Sequence, residues 1–179
     1  MKHPIAGALA LAIATALAGC ASTPATTAAA QESPMTGIAY SGPFAAPSTL
    51  DLNYPRSDQI KDSDFAPAFD AGMAIQLGEI DAIANNPEPA TFQNTIVAME
   101  KTGLLLDRAT GVFFNLVGTD KNDARDKLQS GYAPKFSAHR DAITLNPKLF
   151  ARIKALHDAR ATLGLDAVDQ RLLERRYDD

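Results

Sequence analysis

The chain has 179 residues, a hydrophobic fraction of 46% and a formal charge of −4 at pH 7. This length suits one domain of ordinary size with additional segments, and the composition is typical of a globular protein. The 17 basic residues are outnumbered by 21 acidic ones and form no basic run, which excludes nucleic acid as a partner and argues against a polybasic membrane patch.

Residues 1–19 have the pattern of a secretory signal peptide. Their apolar run, from residue 4 to 18, is too short to cross a bilayer of about 30 Å as a helix. The Leu-Ala-Gly-Cys that follows resembles the bacterial lipobox, which implies cleavage before Cys20 and lipid attachment to its thiol. Because Ala21 follows the cysteine, the resemblance implies an outer-membrane anchor facing the periplasm. An ordinary signal peptide cleaved near 16–18 is the alternative.

Residues 20–50 are predicted to form a flexible tether. Pro, Ser, Thr and Gly interrupt the stretch throughout, and it has neither helical nor strand periodicity. A flexible chain of about 30 residues has a root-mean-square span of about 30 Å, which is enough to hold a domain clear of a lipid surface. The two aromatic residues Tyr40 and Phe44 are expected to be unattached, and docking on the folded domain is the alternative.

Residues 51–179 alternate between helical patterns and sharp breaks. Asp64 is expected to cap a first helix, which ends at the Asn-Asn-Pro of residues 85–87. Thr91 opens a second helix of about 25 residues that runs through Gly103. In both helices an apolar residue recurs every three or four positions, which predicts one buried face on each.

Two further helices follow. The third begins near residue 120, and Pro134 is expected to kink or break it because proline removes a backbone donor and crowds the preceding turn. Asn146 and Pro147 begin the fourth, with a capping side chain followed by a preset φ. Gly164 fits as the left-handed residue after that helix.

Asp166 caps a fifth helix that carries Val168, Leu172 and Leu173. A helix of about a dozen residues is marginal alone. It therefore either packs back onto the others or belongs to a longer polypeptide. No segment alternates with period two, so the predicted fold class is all-α: antiparallel helical hairpins or a bundle, in which successive helices are neighbours.

No residue of this chain is predicted to be catalytic or to bind a metal. Only His139 and His157 remain after the signal peptide, and they lie on different predicted helices. A catalytic zinc normally needs three protein ligands, often with two on one helix as in H-E-x-x-H. Both histidines are therefore expected to be solvated or helix-terminal. The motifs of a nucleophile elbow and of phosphate-binding loops are also missing.

Aromatic residues on the helical stripes are expected to form the core. They are Phe65, Phe69, Phe113 and Phe136, for which a peptide-binding groove is the alternative. Asn115 is polar within the apolar "FFNL" and is expected to satisfy a buried backbone group.

Two stretches of the chain, 57–116 and 133–175, resemble the N-terminal helical region of thimet-oligopeptidase-like zinc metallopeptidases, in the bacterial peptidyl-dipeptidase branch. The resemblance is carried by "FQNTIVAMEKTG", "FFNL" and "LNPKLFARIKAL", in family order. It implies an almost wholly helical enzyme whose two halves flank a channel for short, unfolded peptides. Zinc would lie in the other half, held by H-E-x-x-H and a further Glu.

The sequence thus predicts that residues 51–179 are the non-catalytic N-terminal part of a lipid-anchored zinc metallopeptidase, without the half that carries the metal. No cofactor is expected in this chain, and short peptides are expected partners only of the complete enzyme. The alternative is a standalone helical lipoprotein that acts as a binding or adaptor module.

Overall fold

The computed structural model describes residues 39–179 and confirms the all-α class, since this part of the chain contains helices and no strand. No helix in it has the length and apolarity to cross a bilayer. The predicted signal peptide, Cys20 and the first part of the predicted tether lie outside the described residues. The α-helices are α1 Asp62–Ala84, α2 Ala98–Glu100, α3 Leu104–Thr119, α4 Asp123–Thr144, α5 Pro147–Asp158 and α6 Ala167–Asp178.

The first predicted helix is confirmed as α1, with a small correction at its start. Asp64 is not the capping residue but lies in the first turn, where its carboxylate accepts a hydrogen bond from the backbone N–H of Lys61 at 2.8 Å. This contact satisfies one of the donors that a helix start leaves unpaired. At the other end, the Asn85 side chain donates to the carbonyl of Asp81 at 2.9 Å.

The prediction of one long second helix is wrong. Thr91 does cap a helical segment, but this segment is a π-helical turn, Phe92–Val97, followed by the short α2. The chain then breaks at Gly103, whose φ is +75°, and α3 begins. Glu79 fixes the break, because its carboxylate accepts a hydrogen bond from the Gly103 N–H at 2.8 Å. A Cβ at Gly103 would overlap the Gln76 side chain, so both the conformation and the space require glycine.

Pro134 lies inside α4, which continues from Asp123 to Thr144, so the predicted break is absent and a kink stays a prediction. Asn122 caps the start of α4 by accepting a hydrogen bond from the Arg125 N–H at 2.8 Å. Near the proline, the Tyr132 hydroxyl donates to the Asp70 carboxylate at 2.9 Å and lies 3.1 Å from the Ala66 carbonyl. These contacts hold α4 against α1. They favour a continuous α4 although Pro134 has no backbone N–H to donate.

The predicted start of α5 is confirmed, since Asn146 accepts hydrogen bonds from the N–H groups of Lys148 and Leu149. Gly164 has the predicted left-handed conformation, with φ of +65°. The last helix, α6, packs back onto α5, and Leu173 is completely buried. Val168 was assigned to the same apolar stripe, and that assignment is wrong because 75% of its surface is exposed.

Two hydrophobic clusters lie along α1. The phenylalanine prediction is confirmed: Phe65, Phe69 and Phe113 are completely buried, and Phe136 packs against them. This first cluster joins the start of α1 to α3 and α4. The second cluster joins the end of α1 to the π-helical turn, α5 and α6, and its buried members are Ile80, Ile83, Ala84, Phe92, Ile96, Leu149, Ile153, Leu156 and Leu173.

Phe44 was expected to be unattached, and this expectation is wrong. Only 3% of its surface is exposed, and its ring lies 5.5 Å from that of Phe65. Arg108 fixes the backbone there, since its guanidinium donates to the carbonyls of Phe44 at 2.9 Å and of Ala45 at 3.1 Å. Tyr40 is also partly buried against the first cluster. The boundary at residue 50 stays a prediction.

α3 and α4 are not the closely packed pair that the short connection between them predicts. α3 and α4 follow one another in sequence, and each packs against α1. Their backbones make little close contact with one another. This arrangement leaves a groove between α3 and α4.

Candidate functional site

The most distinctive surface of the described residues is the cavity between α3 and α4, which we call the α3–α4 groove. It has a volume of about 730 Å³, and Gln76 of α1 contributes to its lining. One end is mainly aromatic, whereas the other end is polar. Its lining residues are Gln76, Leu106, Asp107, Thr110, Gly111, Phe114, Ala133, Phe136, His139, Arg140 and Ile143.

The aromatic end of the groove is continuous with the core. Phe136 lies 5.1 Å from the buried Phe69, and Phe114 lies 5.3 Å from the buried Phe113. The rings of Phe114 and Phe136 are 6.3 Å apart across the groove. Phe114 nevertheless keeps 47% of its surface exposed. The aromatic cluster therefore extends from the interior to an uncovered surface.

The polar end contains His139, which was expected to be solvated or helix-terminal. That expectation is wrong, because only 9% of its surface is exposed and its Nε2 lies 2.7 Å from Oε1 of Gln76. The amide oxygen of Gln76 can only accept, so Nε2 carries the proton of a neutral ring. The other nitrogen, Nδ1, is buried without a partner among the described residues. Burial lowers the pKa of His139, which favours this neutral form.

Two opposite charges also line the groove, Asp107 on α3 and Arg140 on α4. Neither side chain has a hydrogen bond or ion pair within residues 39–179. Burial raises the pKa of Asp107, an effect that the neighbouring Arg108 partly offsets. The groove thus presents one exposed acid and one exposed base that form no ion pair within the described residues.

His157 lies in the last turn of α5, as predicted, but it is packed rather than solvated. Its ring stacks on Tyr177 of α6, with centroids 3.8 Å apart and an interplanar angle of 4°. Tyr177 in turn stacks on Phe150 at 5.8 Å. This contact helps to hold α6 on α5, so the residue has a structural explanation.

The two histidines are not brought into a common site. His139 bonds to Gln76 of α1, whereas His157 packs on Tyr177 of α6. Within residues 39–179, no three side chains of His, Cys, Asp or Glu converge in a way that could hold a metal ion. The absence of a cofactor stays a prediction.

A second cavity, of about 690 Å³, lies between residues 42–60 and the outer side of α3. Asn115 lines it and is exposed, so the expectation that this side chain satisfies a buried backbone group is wrong. Arg108 also lines this cavity, but its guanidinium is bonded to the carbonyls of Phe44 and Ala45. Arg108 therefore attaches the segment that precedes α1 to α3.

Sequence reasoning missed Arg152, which organises the turn between α1 and the π-helical segment. Its guanidinium donates to the carbonyls of Asn86 at 3.0 Å and Glu88 at 2.9 Å, and to the Asn94 side chain at 2.9 Å. Its Nε lies 3.3 Å from the hydroxyl of the buried Thr95. An arginine within an amphipathic helix gives no signal of this role, since its partners are 57 to 66 residues away in sequence.

Comparison with known proteins relates the chain to two curated enzymes, although no family model matches it. The dipeptidyl carboxypeptidase of Escherichia coli (strain K12) is 42% identical over 132 residues, and that of Salmonella typhimurium is 39% identical over 132 residues. Each match covers 74% of this chain and 19% of the relative. The chain thus spans about a fifth of the length of the curated relatives it matches.

Proposed function

Because the chain belongs, over its matched residues, to the peptidyl-dipeptidase branch of the thimet-oligopeptidase-like metallopeptidases, we propose that residues 51–179 are a non-catalytic helical part of an enzyme that cleaves short peptides. The observation that supports this is the 132-residue match, which takes up only 19% of each relative. The larger, unmatched part of such an enzyme has room for the residues that cleave the peptide bond.

Zinc, which the family implies, does not fit the described residues. His139 is bonded through Nε2 to Gln76, and His157 is stacked on Tyr177. A catalytic zinc requires three protein ligands around one point, and residues 39–179 offer no such group. The described helices therefore have a supporting role in the proposed enzyme.

A chimeric enzyme tests this proposal. The segment of the Escherichia coli dipeptidyl carboxypeptidase that matches this chain is replaced by the corresponding residues of this chain. We expect the chimera to bind zinc and to release dipeptides with kcat/KM within about tenfold of the parent, because the helices fulfil the same structural task. A folded, zinc-loaded chimera that has lost more than a hundredfold would refute the proposed role.

The purified 179-residue chain provides the complementary measurement. We expect it to retain no stoichiometric zinc after dialysis and to show no turnover of a short fluorogenic peptide. Metal analysis and a peptidase assay check both points, with the parent Escherichia coli enzyme as the positive control. Turnover that persists through purification, at one zinc ion per chain, would assign catalysis to this chain.

We further propose that the enzyme is anchored to the outer membrane through Cys20. The support is the Leu-Ala-Gly-Cys pattern after an apolar run, followed by Ala21. Metabolic labelling with a radioactive fatty acid is expected to mark the wild-type protein and to fail in Cys20→Ser. Equal labelling of both proteins, or an unlabelled wild type that is soluble in the periplasm, would contradict the anchor.

A standalone binding or adaptor module is the second candidate. It is favoured by the completeness of the second cluster, in which α6 covers α5 and buries Leu173 entirely. A chain that works alone should unfold in one cooperative transition whose midpoint does not depend on protein concentration. A molten or aggregating product would count against this candidate.

A further inference from the structure

We propose that the α3–α4 groove is an interdomain docking surface, occupied in the complete peptidase by an amphipathic helix from the part of the enzyme outside the match. The inference rests on the proposed function. It goes beyond that function because it assigns a specific surface and a specific kind of partner.

The packing of α3 and α4 leaves room for another element. Both helices rest on α1, but their backbones make little close contact with one another. Helices that pack directly have axes about 8–10 Å apart, whereas the space between these two holds a cavity of about 730 Å³. A helix laid over this gap would contact α3 and α4 at once.

The surface of the groove is apolar where a covering helix would touch it. Phe114 is 47% exposed although its ring belongs to the aromatic cluster of Phe113 and Phe136. The transfer of an aromatic side chain out of water is strongly favourable in free energy. The described residues leave 47% of Phe114 exposed, so its complete burial requires polypeptide from elsewhere.

Gly111 on α3 leaves the helix surface open at the groove. A Cβ at Gly111 would meet no neighbouring atom of the described residues within 4 Å, and the same is true of Gly118 and Gly131. At Gly72 of α1, by contrast, a Cβ would come within 3.0 Å of Leu106. Gly111 also lines the second cavity, so it gives a covering helix room to approach α3 without requiring one.

The charges indicate the polarity of the occupant. Asp107 on one wall and Arg140 on the other form no ion pair among the described residues, although the neighbouring Arg108 partly offsets the charge of Asp107. An apolar stripe would cover Phe114, while a Lys or Arg faces α3 and an Asp or Glu faces α4. Asp107 and Arg140 are exposed in the described structure, so a covering helix that supplied these partners would replace the water that it removes from the two charges.

The relatives provide the source of this helix. About four fifths of their length lies outside the match, and a helix that belongs to the same polypeptide is present at high effective concentration. A substrate peptide is less well suited as the permanent cover of Phe114, because the groove would return to water after each turnover. A peptide-binding groove is therefore the competing outcome of the test.

Chemical labelling of the groove tests the inference. Thr110→Cys places a thiol among the groove residues, and Val168→Cys places one at a 75% exposed position of α6 that does not line the groove. Each substitution is made in the 179-residue chain and in the chimeric Escherichia coli enzyme. The rate of maleimide labelling at each site is measured by mass spectrometry, with and without a saturating peptide.

We expect the thiol introduced at residue 110 to react at least tenfold more slowly in the chimera than in the 179-residue chain, with or without peptide. The thiol at residue 168 reports general effects of the chimera on reactivity. A smaller change at residue 110 would overturn the inference while an active chimera still supports the proposed function. Protection that appears only with peptide would overturn it in favour of a substrate surface. A folded but inactive chimera would refute the proposed function, and the inference with it.

Discussion

Leu173 offers the sharpest test of whether α6 is an integral part of the described fold. Its side chain has no exposed surface and belongs to the second cluster with Leu149, Ile153 and Leu156 of α5. Val168, one and a half turns earlier on the same helix, is 75% exposed. Substitution of each by alanine therefore compares a core position with a surface position on one helix.

The structure sets the expected magnitudes. Truncating a fully buried leucine removes its transfer free energy and leaves a cavity, which together lower the free energy of unfolding by about 2–5 kcal/mol. Leu173→Ala is accordingly expected to cost about 3 kcal/mol, out of a total of about 5–15 kcal/mol for an ordinary domain. Val168→Ala should change stability by less than about 0.5 kcal/mol, because alanine improves helix propensity and little contact is lost.

Urea unfolding of the two variants, followed by circular dichroism at 222 nm, provides the measurement. Leu173→Ala should lower the transition midpoint with an unchanged m-value, and Tm should fall by about 10 °C if each kcal/mol shifts Tm by about 3–4 °C. A cost of less than about 1 kcal/mol for Leu173→Ala would mean that α6 is not packed as described. A markedly lower m-value would mean that α6 unfolds separately.

Three further predictions concern buried polar and glycine positions. Arg152→Met should lower the free energy of unfolding by about 2–4 kcal/mol because several acceptors lose a charged donor. The control Arg140→Met should lower it by less than about 0.5 kcal/mol. Chemical denaturation measures both variants, and equal costs would contradict the Arg152 network. Burial lowers the pKa of His139 below 6.5, so the unfolded chain binds the proton more readily than the folded chain. The free energy of unfolding should therefore fall as pH drops from 7 toward the lowered pKa. Unfolding midpoints measured over this pH range should change less in His139→Gln, and an identical slope in the two proteins would refute this prediction. Gly111→Ala should raise the stability of the 179-residue chain by about 0.5–1 kcal/mol. Gly103→Ala should lower it by more than about 1 kcal/mol because Gly103 has a positive φ. Thermal unfolding measures both changes, and a loss of stability in Gly111→Ala would show that the described chain itself needs that glycine.

The sequence determined the elements whose signals are local. Asn146 followed by Pro147 specifies a helix start through its own side chain and fixed φ, and the structure has the cap at that residue. Gly164 likewise has its predicted left-handed conformation. The spacing of Phe65, Phe69 and Phe113 identified the core, because a 3.6-residue period marks one face of a helix whatever it packs against.

The tertiary structure decided the features that depend on distant partners. The break at Gly103 depends on Glu79 and Gln76 of α1. The burial of Phe44 depends on Arg108 of α3. The turn at residues 86–95 depends on Arg152 of α5. None of these pairs leaves a periodic signal, since each joins residues 24 or more positions apart.

The α3–α4 groove belongs to the same class. Short connections predicted that α3 and α4 are close neighbours, yet both helices pack on α1 instead of closely on each other. Sequence alone determined which faces of the helices are apolar, because that property lies in residue type and spacing. Only the tertiary structure decided which faces meet and which stay open, because that choice depends on how much surface every possible pair of helices buries at once.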